Sequence, residues 1–316
     1  MKKVLVTPRS LTSASHPALD LLRGAGCQVI FSTPGKQPDE EELIGLLPGC
    51  EGYLAGVERV SAGVLEAAKG LQVISRNGTG IDNIDMNAAN RLNIQVCRAE
   101  GANARGVAEL TLGLILALVR SIPFSDSQLK NKRWERRKGI ELENQTLGLI
   151  GCGEIGKRTA LLATGMGMKV FAFRRYPDHS FSPPNFSYVS LEDLYRQSDI
   201  ISLHCPSLES GKALINKEAI AKMKNGAYLV NTARASLLDL AAVLEALESG
   251  RLAGAAVDVF DQEPPTDYRL VKNSRVIATP HIGGYTSQSI DRATTQAVEN
   301  IINVLHLQRT ERKGRT

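Results

Sequence analysis

Proton transfer needs a side chain that titrates near neutrality and a partner that tunes it. His281, in Thr279-Pro-His-Ile-Gly-Gly284, and Glu263, in Val257-Asp-Val-Phe-Asp-Gln-Glu-Pro-Pro265, are of those types. A carboxylate beside an imidazole favours the imidazolium and fixes the ring, which makes an adjustable acid–base group. Arg234, in Asn231-Thr-Ala-Arg-Ala-Ser236, adds a guanidinium able to grip a carboxylate through two parallel hydrogen bonds and to polarise a neighbouring keto oxygen. Together they suit the reduction of a 2-keto acid. His281 would give a proton to the developing alkoxide, Glu263 would hold His281, and Arg234 would take the acid group. Singly, each has a plainer reading: a surface salt bridge for Arg234, a structural imidazole for His281. Their recurrence after three successive predicted strands is what joins them.

Such a reaction also needs a hydride carrier, and Gly151-Cys-Gly-Glu-Ile-Gly156 supplies a place for one. The glycines follow an apolar strand, Thr146–Ile150, and open a helix through Met166. In that setting Gly151, Gly153 and Gly156 let backbone approach a pyrophosphate, and the helix N-terminus favours its charge. A bare glycine turn between strand and helix occurs in unrelated α/β domains too. About 20 residues on, where an acid would accept from the adenosine ribose, stand Arg174 and Arg175. Guanidinium groups there suit a 2′-phosphate, so the chain is expected to prefer NADP, with NAD also possible. The plainer reading is an exposed arginine pair.

Elements that could position these groups follow from periodicity. β-branched runs (residues 3–7, 27–31 and 71–75) alternate with helix-like runs up to about Gln95. A long helical pattern from Asn103 to Arg120 ends near Pro123. A second series then places strands at 146–150, 169–173, 199–203, 227–230, 254–259 and 275–278. Strands this apolar, separated by helices, make parallel sheets covered on both faces. The expected fold is α/β, with two Rossmann-like, doubly wound parallel-sheet domains and a cleft between them. Residues 1–100 plus 286–316 would form a discontinuous substrate-binding domain, closed by a helix from Thr286 to Leu307. Residues 101–285 would form the dinucleotide-binding domain.

Composition excludes several function classes. The 316 residues are 43% hydrophobic and 22% charged, as in ordinary globular chains. The N-terminus, Met-Lys-Lys followed at once by Val4-Leu-Val6, lacks the apolar run of a signal peptide, and the most apolar stretch, Leu110–Val119, is too short to cross a bilayer, so no membrane partner is expected. Five scattered cysteines without a C-x-x-C pair suit reduced thiols and the cytoplasm. Much of the excess behind the net charge of +5 lies in Lys130–Lys138 and the tail Arg309–Arg315, without aromatic interleaving, which points away from nucleic acid. No metal is expected.

These motifs resemble those of the D-isomer-specific 2-hydroxyacid dehydrogenases over nearly the whole chain. The match extends to Arg76-Asn-Gly-Thr-Gly-Ile-Asp-Asn-Ile-Asp85, Gly106-Val-Ala-Glu-Leu-Thr111 and His204-Cys-Pro206. The resemblance implies Arg234, Glu263 and His281 as the catalytic set. It implies that the Asn77–Gly80 loop, with Asn77 and Gly78, holds the substrate carboxylate through backbone amides. It also implies cofactor contacts from Thr79, Glu154, Ile155, Cys205, Thr232, Asp258 and Gly284. Within the family the chain looks most like phosphoglycerate dehydrogenases lacking the C-terminal regulatory domain, a likeness that Trp134-Glu-Arg-Arg-Lys138 supports. Homodimers built across the 103–120 helix are then expected, acting on a small 2-hydroxy or 2-keto acid. Two departures stand out: Ala235 where the family has glycine, and Tyr53-Leu-Ala-Gly-Val-Glu58, which lacks the arginine and serine common in phosphoglycerate enzymes. Two alternatives stay open: a dehydrogenase of a phosphonate, sulfonate or phosphite-like acid, and a non-catalytic NAD(P)-sensing protein.

Overall fold

The computed structural model describes residues 1–14 and 16–306. The basic segment Arg309–Arg315 and Leu307 lie outside the described residues. The chain divides into two compact units, Met1–Asn103 with the chain from Thr286, and Ala104–Tyr285.

The first unit carries strands β1 (Lys3–Val6), β2 (Gln28–Phe31), β3 (Gly52–Ala55), β4 (Val73–Arg76) and β5 (Gln95–Arg98). They form a parallel sheet in the order β2-β1-β3-β4-β5. Residues Val4, Leu5 and Val6 of β1 are fully buried, because helices cover both faces and leave no strand side for water. The helix Ser287–Val304 lays Ala297, Val298, Ile301 and Ile302 against Val4, Val6, Leu54 and Val73 in one apolar cluster. Each buried branched side chain there stabilises by roughly 1.5–3 kcal/mol.

The second unit carries β6 (Thr146–Ile150), β7 (Lys169–Phe173), β8 (Phe186–Tyr188), β9 (Ile200–Leu203), β10 (Ala227–Asn231), β11 (Leu252–Val257) and β12 (Val276–Ala278). Their order is β12-β11-β10-β9-β6-β7-β8, all parallel. The direction in which successive strands are added reverses between β6 and β9. In such sheets the crevice beyond the carboxyl ends at that reversal is where ligands bind. Both expected parallel-sheet layers are therefore present. Strands β3, β5 and β8 lie outside the periodicity signal: Gly-Tyr-Leu-Ala has no β-branched residue, Gln-Val-Cys-Arg has one, and Phe-Ser-Tyr is a three-residue edge strand.

The helix expected from Asn103 to Arg120 is present as Ala104–Val119, and an unexpected second helix follows it. The long helix stops at Val119, Ser121 turns the chain with φ of 50°, and a second helix runs from Ile122 to Lys130 with Pro123 in its first turn. Proline is favoured there because it lacks only an N–H that a first turn leaves unpaired, so Pro123 begins a helix and does not close one. Among the described residues no single helix is long and apolar enough to cross a membrane; the bent pair Ala104–Val119 and Ile122–Lys130 passes by length and composition only.

Candidate active site

The glycine turn follows β6 and enters the helix Glu154–Gly165. Gly151 has φ of +101°, and a Cβ there would stand 2.5 Å from the backbone of His204 and 2.7 Å from the Cys205 amide. A Cβ on Gly156 would strike the Gly151 carbonyl oxygen, so helix and turn pack backbone on backbone. Gly153 is different: a Cβ there would meet nothing within 4 Å, and no side chain caps the helix that it begins. The turn thus combines a tight backbone with open space in front of uncapped helix N–H groups, which fits a dinucleotide pyrophosphate. Glu154 and Ile155 form the first turn of that helix.

Arg174 and Arg175 follow β7, both exposed. Arg174 donates from Nη1 to the Cys152 carbonyl at 3.2 Å, which lays its guanidinium beside the glycine turn. The nearby acid, Asp178, is taken by Lys157 at 2.5 Å and by the Ser180 hydroxyl at 2.6 Å. The hydrogen bond from Lys157, followed by those from Ser180, holds the Asp178 carboxyl far below its usual range.

Beyond β9 stand His204 and Cys205. Burial holds His204 down to about 4, so it is neutral at ordinary pH, and pushes the Cys205 thiol up to about 11. Neither supplies a proton-transfer group near neutrality. Beyond β10 the Thr232 hydroxyl lies 3.1 Å from that of Thr111, on the helix Ala104–Val119. Arg234 follows in extended backbone, its Nη1 donating to the Ala233 carbonyl at 2.7 Å and its own carbonyl accepting from Asn231 Nδ2 at 2.8 Å. Ala235 begins a short 3-10 turn, Ala235–Leu237, and has no positive φ, so alanine is accommodated where glycine was expected.

Beyond β11 and β12 the His281–Glu263 pair forms: Nδ1 of His281 lies 2.9 and 2.8 Å from the two Glu263 carboxylate oxygens. The hydrogen bond to Glu263 raises the His281 pKa; burial and the Arg234 charge oppose this, and the Glu263 and Asp258 charges add to it. For Glu263, burial pushes upward but is outweighed by the His281 hydrogen bond and charge, the Phe260 N–H and the Arg234 charge, and the carboxyl lies below its usual range. With Nδ1 engaged, Nε2 is the nitrogen left to face a substrate. His281 itself has φ of 52°. Its loop is anchored by buried Asp258, which accepts from the Thr279 hydroxyl at 2.5 Å and from the N–H groups of Ile282 and Gly283, each at 2.8 Å. Thr279 is an addition to the residues read from sequence. Its role depends on strand register: Val257 pairs with Ala278, so the residues that follow them, Asp258 and Thr279, leave adjacent strands together, a pairing that the sequence does not display. Gly284 closes the same loop.

In the first unit, the loop after β4 holds Asn77, Gly78 and Thr79. The Asn77 amide donates to the Ala55 carbonyl at 2.9 Å and the Gly78 amide to the Arg76 carbonyl at 2.8 Å. Those two amides are therefore already engaged. The Thr79 hydroxyl lies 3.1 Å from both the Ala99 carbonyl and Asn103 Oδ1. Among the described residues no group of three or more His, Cys, Asp or Glu could hold a metal ion.

The family model for "D-isomer specific 2-hydroxyacid dehydrogenase, NAD binding domain" matches residues 112–283. The chain is 41% identical to a hydroxypyruvate reductase of Thermotoga maritima, over 84% of this chain and 89% of that protein. It is 37% identical to human D-3-phosphoglycerate dehydrogenase over 96% of its own length, but spans only 57% of that enzyme. The solved structure of the TT0316 protein from Thermus thermophilus superposes with a TM-score of 0.86 at 36% identity, covering 96% of this chain and 97% of that one. With a glycine turn built for a dinucleotide and a paired histidine beyond the last strands, and with these matches, the chain belongs to the D-isomer-specific 2-hydroxyacid dehydrogenases, a family of NAD(P)-binding oxidoreductases.

Proposed function

We propose that this protein interconverts a small 2-keto acid and its D-2-hydroxy acid, as a cytoplasmic homodimer that prefers NADP. The nicotinamide, when bound, supplies or accepts the hydride at C2. His281, charged and held by Glu263, gives its Nε2 proton to the C2 oxygen during reduction and takes it back during oxidation. Arg234 binds the substrate carboxylate and polarises the keto oxygen. The unit Ala104–Tyr285 is the dinucleotide-binding domain, and the other unit contributes the substrate loop. Within that loop the engaged amides of Asn77 and Gly78 leave those of Thr79 and Gly80 as the better carboxylate donors.

The observation that carries this reading is the His281–Glu263 contact at 2.8–2.9 Å. The NADP preference rests on the Arg174 guanidinium beside the turn and on an Asp178 already committed to Lys157.

The test is steady-state turnover of hydroxypyruvate, glyoxylate, pyruvate and phenylpyruvate with each cofactor, in wild type and in His281→Ala. Loss of the proton donor lowers kcat by roughly 10²–10⁴-fold, while cofactor affinity holds. Near-normal kcat in the variant, or cofactor binding without any turnover by the wild type, overturns the assignment.

A further inference from the structure

The first unit contains a carboxylate that this chemistry does not use. Glu58 is 1% exposed and lies just beyond the carboxyl end of β3. Its Oε1 accepts three donors at once: the Thr7 hydroxyl, the Tyr53 hydroxyl at 2.6 Å and the Gly56 amide at 2.7 Å. Burial, with the Glu58 charge next, pushes the Tyr53 phenol well up, so that phenol stays a donor. Oε2 is directed at Gly56: a Cβ on that residue would lie 2.6 Å from it and 3.2 Å from the Pro8 backbone. The carboxylate therefore fills the volume that any side chain at position 56 would need.

This segment runs beside the proposed substrate loop. Asn77 N–H donates to the Ala55 carbonyl at 2.9 Å, Asn83 Nδ2 to the Glu58 carbonyl at 2.6 Å, and Val60 N–H to the Asn83 carbonyl at 2.8 Å. A substrate whose carboxylate is held after β4 would pass any substituent directed toward β3 over Ala55, Gly56 and Val57. Ala55, Gly56 and Val57 carry no charge themselves, and the Glu58 carboxylate lies against Gly56; the neighbouring cations are the exposed Arg59 and Arg76, which pairs with Ala55 in the sheet and is held at the Asn77 carbonyl. A hydroxyl or methyl group meets nothing adverse there. A phosphate meets the like charge of Glu58, in a place where Val57 is half exposed and salt can screen the repulsion.

We propose that Gly56 and Glu58 together restrict this enzyme to 2-keto acids without a second anionic group, such as hydroxypyruvate or glyoxylate, and select against their phosphorylated counterparts. This rests on the reaction proposed above and adds its substrate class. Glu58 acts through the loop and through its field, without touching the substrate.

The experiment compares kcat/KM for hydroxypyruvate and 3-phosphohydroxypyruvate, at two ionic strengths, in wild type, Glu58→Gln and Arg59→Gln. The wild type is expected to favour hydroxypyruvate by on the order of 100-fold at low salt, and by less at high salt because the repulsion is screened. Glu58→Gln keeps an acceptor for the three donors but removes the charge. It should move the ratio toward the phosphorylated substrate by about tenfold. That ratio, unlike either value alone, does not depend on the fraction of folded protein. An unchanged ratio in Glu58→Gln, or a discrimination insensitive to salt in the wild type, overturns the proposal. So does a wild-type preference for 3-phosphohydroxypyruvate that Arg59→Gln abolishes, since the exposed Arg59 would then be the phosphate anchor. Turnover of both substrates without discrimination overturns this inference alone. No turnover of any 2-keto acid overturns the reaction and this inference with it.

Discussion

At the scale of single residues, the His281–Glu263 pair sets a pH dependence whose sign can be worked out. The glutamate hydrogen bond raises the His281 pKa above its usual value. Reduction needs the imidazolium, so kcat/KM for a keto acid should fall only as pH rises through that raised pKa. Oxidation needs the neutral ring and should rise through the same range. Glu263→Gln removes the charge that favours imidazolium, and both transitions should move to lower pH. Profiles in both directions, for wild type and variant, check this; transitions that do not move would make Glu263 a purely structural partner. Asp258 acts one step further out. Its two oxygens hold Thr279, Ile282 and Gly283, and so hold His281 in a backbone conformation uncommon outside glycine. Asp258→Ala leaves three donors unpaired, that of Gly283 buried and those of Thr279 and Ile282 half-buried, and should cost about 1–3 kcal/mol in chemical denaturation, while lowering kcat more than cofactor affinity.

At the scale of elements, the turn between β6 and its helix separates glycines that build the fold from one that leaves room for a ligand. Gly151→Ala forces a side chain into the His204 backbone at positive φ and should destabilise by about 3 kcal/mol. Gly153→Ala meets nothing, so stability should stay within about 1 kcal/mol. Dinucleotide affinity should nevertheless drop by about tenfold or more, because the methyl group enters the open space before the helix N-terminus. Denaturation midpoints and cofactor titrations read these two effects separately; a Gly153→Ala variant that binds cofactor normally would remove the pyrophosphate from that turn. The end of β7 decides the ribose contact. Arg174→Asp should reverse a wild-type NADPH preference of roughly 10–100-fold in kcat/KM, since about 1.4 kcal/mol corresponds to tenfold. Equal use of both cofactors by the wild type would make Arg174 and Arg175 surface charges.

At the scale of the whole molecule, the proposed homodimer has a physical basis in apolar groups that a lone chain leaves in water. Ile122, Leu129 and Trp134 are 53%, 58% and 81% exposed, all within one stretch of the second unit. Such a grouping favours a protein partner, and in the proposed homodimer a second copy of the chain would cover it. Trp134→Glu should shift the mass measured by light scattering from dimer toward monomer; a wild-type monomer at micromolar concentration would exclude the arrangement. Much of this protein follows from local sequence. Apolar runs of four or five residues spaced by helical patterns determine the βα repeat, and a motif directly after each strand determines which residues reach the carboxyl ends. Glycine spacing together with the flanking strand made the dinucleotide turn legible, and residue type made His281, Glu263 and Arg234 candidates. Tertiary structure alone decided the rest. Asp258 closes the His281 loop by bonds across 21 to 25 residues, and Glu58 meets Thr7 across 51. Engagement of the Asn77 amide depends on Ala55 in the neighbouring strand. Such partners are set by strand order and register, which arise from burial summed over the whole sheet, and periodicity within one segment carries no record of which strand will lie beside it.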